Sequence, residues 1–429
     1  MGAKTPNLTT GDVLIEGGVI AEVGPRLRAR DAERVDASDA IVMPGFVDTH
    51  RHAWTSLFRN VGDIAPGGGS SASETVPGGR YAPDDVYAAT LIGLLGAAES
   101  GITTVVDWAD LALDLERADA ALRAHADSGL RTVFAFVPER PPRSADAEGA
   151  TRAMLAHLAE AAGPTTVIAL GSSDLGDPNG GPSPTTWGLA RELGLRIHAH
   201  AAPGSGRGAV ARLAQRGLLD EHVTLVHCSE LDDADADAIR SSGAAISLTP
   251  SSQMAGGLGR PQIQRLIDRD IRPGLGVDHE RMSPGDLFAQ MRATISWQHA
   301  TVFDRKLAGK AGLPRLMSTR DVIRFATVDG ARVVGDPKAG SLEPGKPADV
   351  VVLRTDRPNI APVNDPIGAV VWGMDTSNVD RVFVGGRALM TNGVLEADVR
   401  RARELATAAR DRVVAAAGPV AGAASGIRG

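Results

Sequence analysis

Short apolar runs with turn residues between them occur at both ends of the chain. Residues 12–24 (DVLIEGGVIAEVG) have the pattern of two strands around a Gly-Gly turn, and residues 40–48 (AIVMPGFVD) form a further apolar strand. Short strands punctuated by Gly, Pro and Asn are also predicted within residues 331–355 and 381–395. Both ends of the chain are therefore predicted to be rich in β-hairpins.

The middle of the chain alternates between helix-like and strand-like segments. After the strand that ends at residue 48, stretches of helix length separate further apolar runs, at residues 101–108, 131–137, 165–170, 195–200, 222–228, 244–250 and 272–278. Apolar runs of this length are typical of parallel strands that are buried on both faces. Eight such units predict a (β/α)8 TIM-like barrel, which usually takes about 250 residues. An open doubly wound sheet is disfavoured, because no G-x-G-x-x-G segment follows a first strand.

The composition narrows the class of protein. Apolar residues make up 43% of the chain and charged residues 23%, with a net charge of −7 and both signs interspersed, which disfavours a nucleic-acid partner. No run approaches the roughly 18 apolar residues that a membrane span needs. The one cysteine, Cys228, cannot form an intramolecular disulfide, and the N-terminus lacks an apolar stretch of signal-peptide length. We therefore expect a soluble cytoplasmic protein.

Polar side chains collect at the carboxyl ends of the predicted barrel strands, where the active sites of such barrels lie. They include five of the ten histidines and three aspartates: His50, His52, His198, His200, His227, Asp107, Asp174 and Asp278. Residues two apart in a strand point to the same side, so His50 and His52 can bind one ion. Imidazoles with one carboxylate are typical of a catalytic metal site. For Asp107 and Asp174, capping of the following helix is a simpler explanation.

Five segments carry a family resemblance, in the same order along nearly the whole chain: IVMPGFVDTHRHAWTSLFRN, LRIHAHAA, VTLVHCSEL, IRPGLGVDHE and ATVDGARVVG…AGSLEPGKPADVVVL. They resemble the amidohydrolase superfamily, particularly its branch of cytosine deaminases and chlorotriazine hydrolases. The resemblance implies that one divalent metal ion is bound by His50, His52, His200 and Asp278. Zn²⁺ is the first expectation, with Fe²⁺, Mn²⁺ and Ni²⁺ as alternatives. Asp278 and His227 would be catalytic, with His227 beside the reacting water and the substrate.

The resemblance also implies the domain organisation. Residues 1–44 and 331–397 would join as a small β-sandwich beside a barrel formed by residues 45–330. Residues 398–429 would add a C-terminal helix and tail. We further expect a homodimer or a higher homo-oligomer.

Two positions depart from the family pattern. The fourth strand (TTVIALGSSD) has no lysine at its end, which favours a single metal ion over a bridged pair. Deaminase-like relatives usually carry H-x-H-x-x-E on the fifth strand, where the glutamate transfers protons to a ring nitrogen. Here Pro203 stands in its place, and proline cannot transfer a proton. The group that protonates the leaving group would then be Asp278, His227, His279 or Glu280.

We therefore predict a metal-dependent hydrolase that uses a metal-activated water. It would cleave a C–N bond (amide, amidine or amino) or a C–Cl bond of a small, cyclic substrate. A metal-dependent lyase or isomerase is the alternative, because Pro203 replaces the glutamate. A non-catalytic binding protein is disfavoured, because every ligand position is filled. Expected substrate contacts are Trp54, Arg59, Trp108, His198, His279 and Glu280. The competing interpretation is packing for the two tryptophans and a solvated surface charge for Arg59.

Overall fold

The computed structural model describes residues 7–60, 81–138, 147–173, 175, 184–201, 204–281 and 283–417. Its strands, in chain order, are β1 (Asp12–Glu16), β2 (Val19–Gly24), β3 (Ala40–Pro44), β4 (Phe46–Arg51), β5 (Ile102–Ala109), β6 (Arg131–Phe136), β7 (Thr166–Ser172), β8 (Ile197–His200), β9 (Val223–Val226), β10 (Ala245–Leu248), β11 (Gly274–Leu275), β12 (Val350–Arg354), β13 (Val379–Val384), β14 (Arg387–Thr391) and β15 (Val394–Leu395).

The helices are α1 (Pro83–Glu99), α2 (Leu115–Ser128), α3 (Ala147–Ala161), α4 (Pro184–Glu192), α5 (Ala209–Gln215), α6 (Asp233–Ser242), α7 (Pro250–Ala255), α8 (Ile263–Ile267), α9 (Leu287–Leu307), α10 (Thr319–Phe325), α11 (Val328–Val333), α12 (Pro366–Gly368) and α13 (Val399–Ala417). Single helical turns of other types occur at Ala53–Phe58, Ala369–Gly373 and Thr376–Asn378. None of the helices in the described residues is long and apolar enough to span a membrane.

Strands β4 to β11 form a closed parallel barrel in chain order, and β11 pairs back onto β4. At least one helix separates each strand from the next. The helix boundaries follow local chemistry. Asp114 caps the start of helix α2, since its side chain accepts from the Arg117 backbone N–H, and Gly129 follows the end of the helix with a positive φ. Asp232 and Gly243 flank helix α6 in the same way. The predicted (β/α)8 barrel is confirmed.

The apolar run at residues 40–48 is two strands in two different sheets. Strand β3 pairs antiparallel with β12 in a five-stranded sheet, whereas β4 enters the barrel. The chain passes between them at Gly45, where a Cβ would lie only 2.1 Å from Thr103 Cγ2. A side chain at this position would therefore collide with the neighbouring barrel strand.

The two ends of the chain meet in a small β-structure beside the barrel. The five-stranded sheet has the order β15-β14-β13-β12-β3, and β1 and β2 form a separate two-stranded sheet. The hairpin contacts the later segment through a bridge between Val19 and Pro347 and through a cluster that contains Ile20, Leu342 and Val350. The β-rich ends are thus confirmed as sheets that join outside the barrel.

One predicted strand segment is wrong. Within residues 331–355 only β12 is a strand, and the segment begins inside helix α11. Short apolar runs do not distinguish a strand from a buried helix. Here burial decides: Ala331 and Val333 are fully buried, and the Thr224 hydroxyl donates to the Val333 carbonyl (2.9 Å) at the start of β9. Helix α11 thereby closes the amino-terminal end of the barrel.

The C-terminal amphipathic helix packs on the barrel's outer layer. Helix α13 lies against α1, with Ala409 and Val413 fully buried. Arg412 adds an ion pair to Asp85 in the first turn of α1 (2.6 Å). Helix α13 is therefore part of the helical layer that surrounds the barrel.

Candidate metal centre

Three imidazoles and a carboxylate converge at the carboxyl end of the barrel. The Nε2 atoms of His50 and His52 each lie 3.4 Å from Asp278 Oδ1. His200 Nε2, from the end of β8, lies 3.2 Å from His50 Nε2. His50 and Asp278 are fully buried, and His52 is 4% exposed. His50 near the end of β4 and His52 directly after the strand are thus brought to one point.

These residues fit a divalent metal ion. Metal–nitrogen and metal–oxygen bonds are about 2.0–2.2 Å long, so two ligands of one tetrahedral ion lie about 3.4 Å apart. Observed separations of 3.2 and 3.4 Å agree with this requirement. Asp278 Oδ1 and His52 Nε2 are buried and have no hydrogen-bond partner among the described residues. Because buried polar atoms are nearly always paired, these orphaned atoms support a bound cation.

The protonation states suit metal binding. Burial lowers the pKa of His50 and lowers that of His200 well below its usual value, so both imidazoles keep a free lone pair at neutral pH. Burial also lowers the pKa of His227 to about 4. For Asp278 burial alone would raise the pKa, but the imidazoles around it, His279 first, outweigh burial and hold the pKa well below its usual value. His50 and His200 therefore offer neutral nitrogens, and Asp278 offers an ionised carboxylate.

Asp110, which the sequence analysis did not identify, orients His52. The His52 Nδ1 donates to Asp110 Oδ2 (2.6 Å), and the Trp54 indole N–H donates to the same oxygen (3.1 Å). Burial alone would lower the pKa of His52, but Asp110 outweighs burial and raises it. A carboxylate on one imidazole nitrogen fixes the tautomer and directs the other nitrogen to the metal. The only sequence signal was a second carboxylate three residues after Asp107 in VVDWAD.

We expect Asp110→Asn to weaken metal binding by about 10–100-fold, because the amide orients and polarises the His52 imidazole less well than the carboxylate does. Competition with a chromogenic chelator measures the dissociation constant. Asp114→Asn is the matched control, since Asp114 lies on the same βα loop but caps helix α2 at the surface. Equal metal affinity in the two variants would contradict this role of Asp110.

Two functional candidates have unusual backbone conformations. His227 and Asp278 have φ angles of 70° and 67°, which are uncommon for residues other than glycine. Hydrogen bonds hold both in place: the His227 N–H donates to Ser247 O (3.0 Å), and the Asp278 N–H donates to His50 O (2.8 Å). Backbone strain of this kind clusters at functional sites.

Side chains of Thr249, directly after β10, and of helix α7 orient the same two residues. Thr249 Oγ1 hydrogen-bonds with His227 Nδ1 (2.9 Å), and the Ser252 hydroxyl donates to Asp278 Oδ2 (2.5 Å). Gln253 of helix α7 links the two segments, because its side chain accepts from the Thr249 N–H and donates to His227 O. The bond from Ser252 leaves Asp278 Oδ1 directed at the donor cluster.

Three of the expected substrate contacts, Trp108, His279 and His198, lie beside the proposed metal ligands. Trp108 stacks on His200 with ring centroids 3.9 Å apart, and His279 stacks on His52 at 4.2 Å. His198 is fully buried on the same strand as His200, and neither ring nitrogen has a partner in the described part of the chain. Burial, with a smaller effect of Arg196, lowers the pKa of His198 to about 3.

The other expected contacts are engaged with one another. Arg59 forms an ion pair with Glu280, which also pairs with buried Arg51 and accepts from the Ser56 hydroxyl (2.9 Å). Burial alone would raise the pKa of Glu280, but Arg51 and Arg59 outweigh it and lower the pKa. An ionised carboxylate with three donors fits the proton-donor role poorly. Trp54 is buried and bound to Asp110.

Asp107 has a different role from helix capping. Its carboxylate accepts from the Ala53 N–H (2.9 Å), directly after the H-x-H segment, and from His125 Nε2 (2.9 Å) on helix α2. It thereby holds the loop that carries His52. Asp174 and Pro203 lie outside the described residues.

The chain matches a known protein family and aligns with characterised relatives over most of its length. Residues 41–389 match the Amidohydrolase family. A 5'-deoxyadenosine deaminase from Methanothermobacter thermautotrophicus is 29% identical over 93% of this chain and 94% of its own length. A 5-methylthioadenosine/S-adenosylhomocysteine deaminase from Symbiobacterium thermophilum is 29% identical over 88% of each chain.

Solved structures with the same fold include two hydrolases crystallised with zinc. An adenosine deaminase from Xanthomonas campestris superposes with a TM-score of 0.78 at 22% identity, over 94% of this chain and 93% of the other. Atrazine chlorohydrolase from Arthrobacter aurescens TC1 gives 0.80 at 22% identity, over 94% and 96%. At this identity the likeness shows the fold alone. Because the family match spans most of the sequence, barrel and adjoining strands included, the chain belongs to the amidohydrolase family.

Proposed function

We propose that this chain hydrolyses a small cyclic molecule at one metal ion, with an amino group on a nitrogen heterocycle as the first leaving group to test. As a member of its family it is a metal-dependent hydrolase that acts on carbon–nitrogen bonds other than peptide bonds. The observation that carries the proposal is the convergence of His50, His52 and His200 with Asp278 at the barrel mouth.

Each proposed group has a distinct task. A divalent ion held by His50, His52, His200 and Asp278 would lower the pKa of water toward about 7 and so supply a nucleophile at neutral pH. Asp278 is held by Ser252 through Oδ2, so its Oδ1 is placed to accept the proton of that water. His227 is fixed by Thr249, and its other ring nitrogen can donate to the oxygen or nitrogen that gains charge in the transition state.

The relatives support this class of substrate. Those named above are deaminases of adenosine-type nucleosides and a chlorohydrolase of atrazine, so in both groups the leaving group departs from a nitrogen-rich ring. No observation favours the lyase or isomerase alternative. Zn²⁺ is the ion we propose, supported by zinc in the two solved structures. The cytoplasmic location and the homodimer stay predictions from the sequence.

The test is a panel of amino-substituted purine nucleosides, amino- and chloro-triazines, cyclic amides and imidates, incubated with metal-loaded protein in isotopically labelled water. We expect one class to be hydrolysed, with release of ammonia or chloride or, for cyclic amides and imidates, with opening of the ring. Each product molecule should gain one labelled oxygen. Wild-type protein from which a chelator has removed the metal is the negative control. A product without the label would establish the lyase or isomerase reaction instead. No product from any class at full metal load would contradict the proposal.

A further inference from the structure

We infer that Trp108 is a positioning residue of the metal centre: its indole holds the imidazoles of His200 and His50 in the orientation that binding one ion requires. The inference rests on the proposed metal centre and goes beyond it, because it assigns a task to a side chain that is not a ligand. The competing role for Trp108 is contact with the substrate, as expected from the sequence.

The first argument is the contact geometry. The indole of Trp108 lies flat on the imidazole of His200, with ring centroids 3.9 Å apart and planes 12° from parallel. It meets the His50 imidazole edge to face, with centroids 5.5 Å apart and planes at 70°. The third proposed imidazole ligand, His52, is farther from the indole, at 6.0 Å. Stacked and edge-to-face arrangements are both favourable for aromatic rings, so Trp108 stabilises the observed positions of His200 and His50.

The second argument is that, among the described residues, no hydrogen bond from outside the ligand set orients these two rings. Asp110 fixes the His52 ring through its Nδ1 (2.6 Å). By contrast, the Nδ1 of His50 is buried without a partner, and the only side-chain hydrogen-bond contact of His200 is with His50 Nε2 (3.2 Å). Metal-bound imidazoles usually have a partner at the second nitrogen, which fixes the ring. The two rings that lack such a partner here are the two closest to Trp108.

The third argument is the effect of a flat neighbour on an imidazole. The lone pair of Nε2 lies in the ring plane, so a bound metal ion must lie close to that plane. Rotation of the His200 ring about its Cβ–Cγ bond would tilt the lone pair away from the ion and drive the ring into the parallel indole. The indole cannot easily move aside, because Trp108 is only 1% exposed and packs with Val106 and Ala135 inside the barrel. The same burial leaves little of its surface for a substrate.

Co²⁺ binding to the full chain in the absence of substrate tests the inference, because a residue that only contacts the substrate would leave it unchanged. Trp108→Leu keeps an apolar side chain but removes the flat face. We expect it to weaken Co²⁺ binding by about 10-fold and to change the visible absorption of the bound ion, since a tilted His200 alters the ligand field. Trp108→Phe keeps an aromatic face, so its spectrum should match the wild type and its affinity should stay within about threefold.

Trp187→Leu is the matched control, because Trp187 is equally buried but lies on helix α4, where its indole N–H donates to Ser172 (3.1 Å). It should keep the affinity and the spectrum. Wild-type affinity and spectrum in Trp108→Leu would overturn the inference, and so would an equal loss in Trp187→Leu or in Trp108→Phe. If Trp108→Leu does not fold, a crystal structure of the metal-loaded wild type decides, and an indole turned away from His200 would overturn the inference. A wild-type chain that binds no metal would instead overturn the metal centre itself.

Discussion

His50→Ala and His200→Ala will each abolish metal binding, whereas the wild-type chain will carry about one metal ion, as a single catalytic site requires. Each substitution removes an Nε2 donor: His200 Nε2 lies 3.2 Å from His50 Nε2, which lies 3.4 Å from Asp278 Oδ1. A bound ion supplies several kcal/mol of charge stabilisation in the transition state. With about 1.4 kcal/mol for each factor of ten in rate, activity should fall by at least about 10³-fold.

Elemental analysis after removal of loosely bound ions gives the metal content, and circular dichroism checks that each variant is folded. His157→Ala removes an imidazole of the outer helical layer and should keep the metal. Because truncation of the fully buried His50 also leaves a cavity, Asp278→Asn provides a ligand variant that keeps the side-chain volume and removes the charge. Two ions per chain would reveal a bridging ligand outside the proposed set. Variants with full metal content would contradict the assignment of His50 and His200.

Arg51→Met will destabilise the fold by about 3–5 kcal/mol, because it removes one partner of a buried ion network. Arg51 is the last residue of β4, lies between His50 and His52 in the sequence and is fully buried. Its Nε donates to Asp48 (2.8 Å), another nitrogen pairs with Glu280, and a third donates to Gly285 O (2.7 Å). Burial opposes the charged guanidinium, yet Asp48 and Glu280 outweigh burial and raise its pKa. Methionine would leave both carboxylates buried with less compensation.

Urea unfolding of the metal-free proteins measures the loss without a contribution from metal binding. Arg152→Met is the matched control, since Arg152 pairs with Glu192 (2.8 Å) at the surface and should cost less than about 1 kcal/mol. Glu280→Gln added to Arg51→Met should recover part of the stability, because it removes one unpaired charge. Equal unfolding midpoints for the two arginine variants would contradict a structural role for the buried network.

Much of the architecture could be predicted from the sequence because its signals are local. Parallel strands buried on both faces require continuous apolar runs, and these runs alternate with helix-length segments through the barrel. The barrel brings the carboxyl ends of its strands to one mouth. For that reason residues as distant in sequence as His50, His200 and Asp278 could be grouped from the sequence alone.

Other features depended on contacts between residues far apart in the chain, which leave no periodic signal. The run at residues 40–48 is divided between two sheets at Gly45, where any side chain would collide with Thr103. The helix at Val328–Val333 required burial against the barrel, since its apolar residues also suit a strand. Both outcomes were decided by what each segment packs against.

Within the site, the sequence by itself determined which residue types stand at the strand ends, because position along a strand dictates the side to which a residue points. Only the tertiary structure decided which partner each of them has. Asp110 binds His52, and Glu280 binds two arginines and so fits the proton-donor role poorly. The physical reason is that a charge takes the partner nearest in space, and that neighbour depends on how the loops fold together over the barrel mouth.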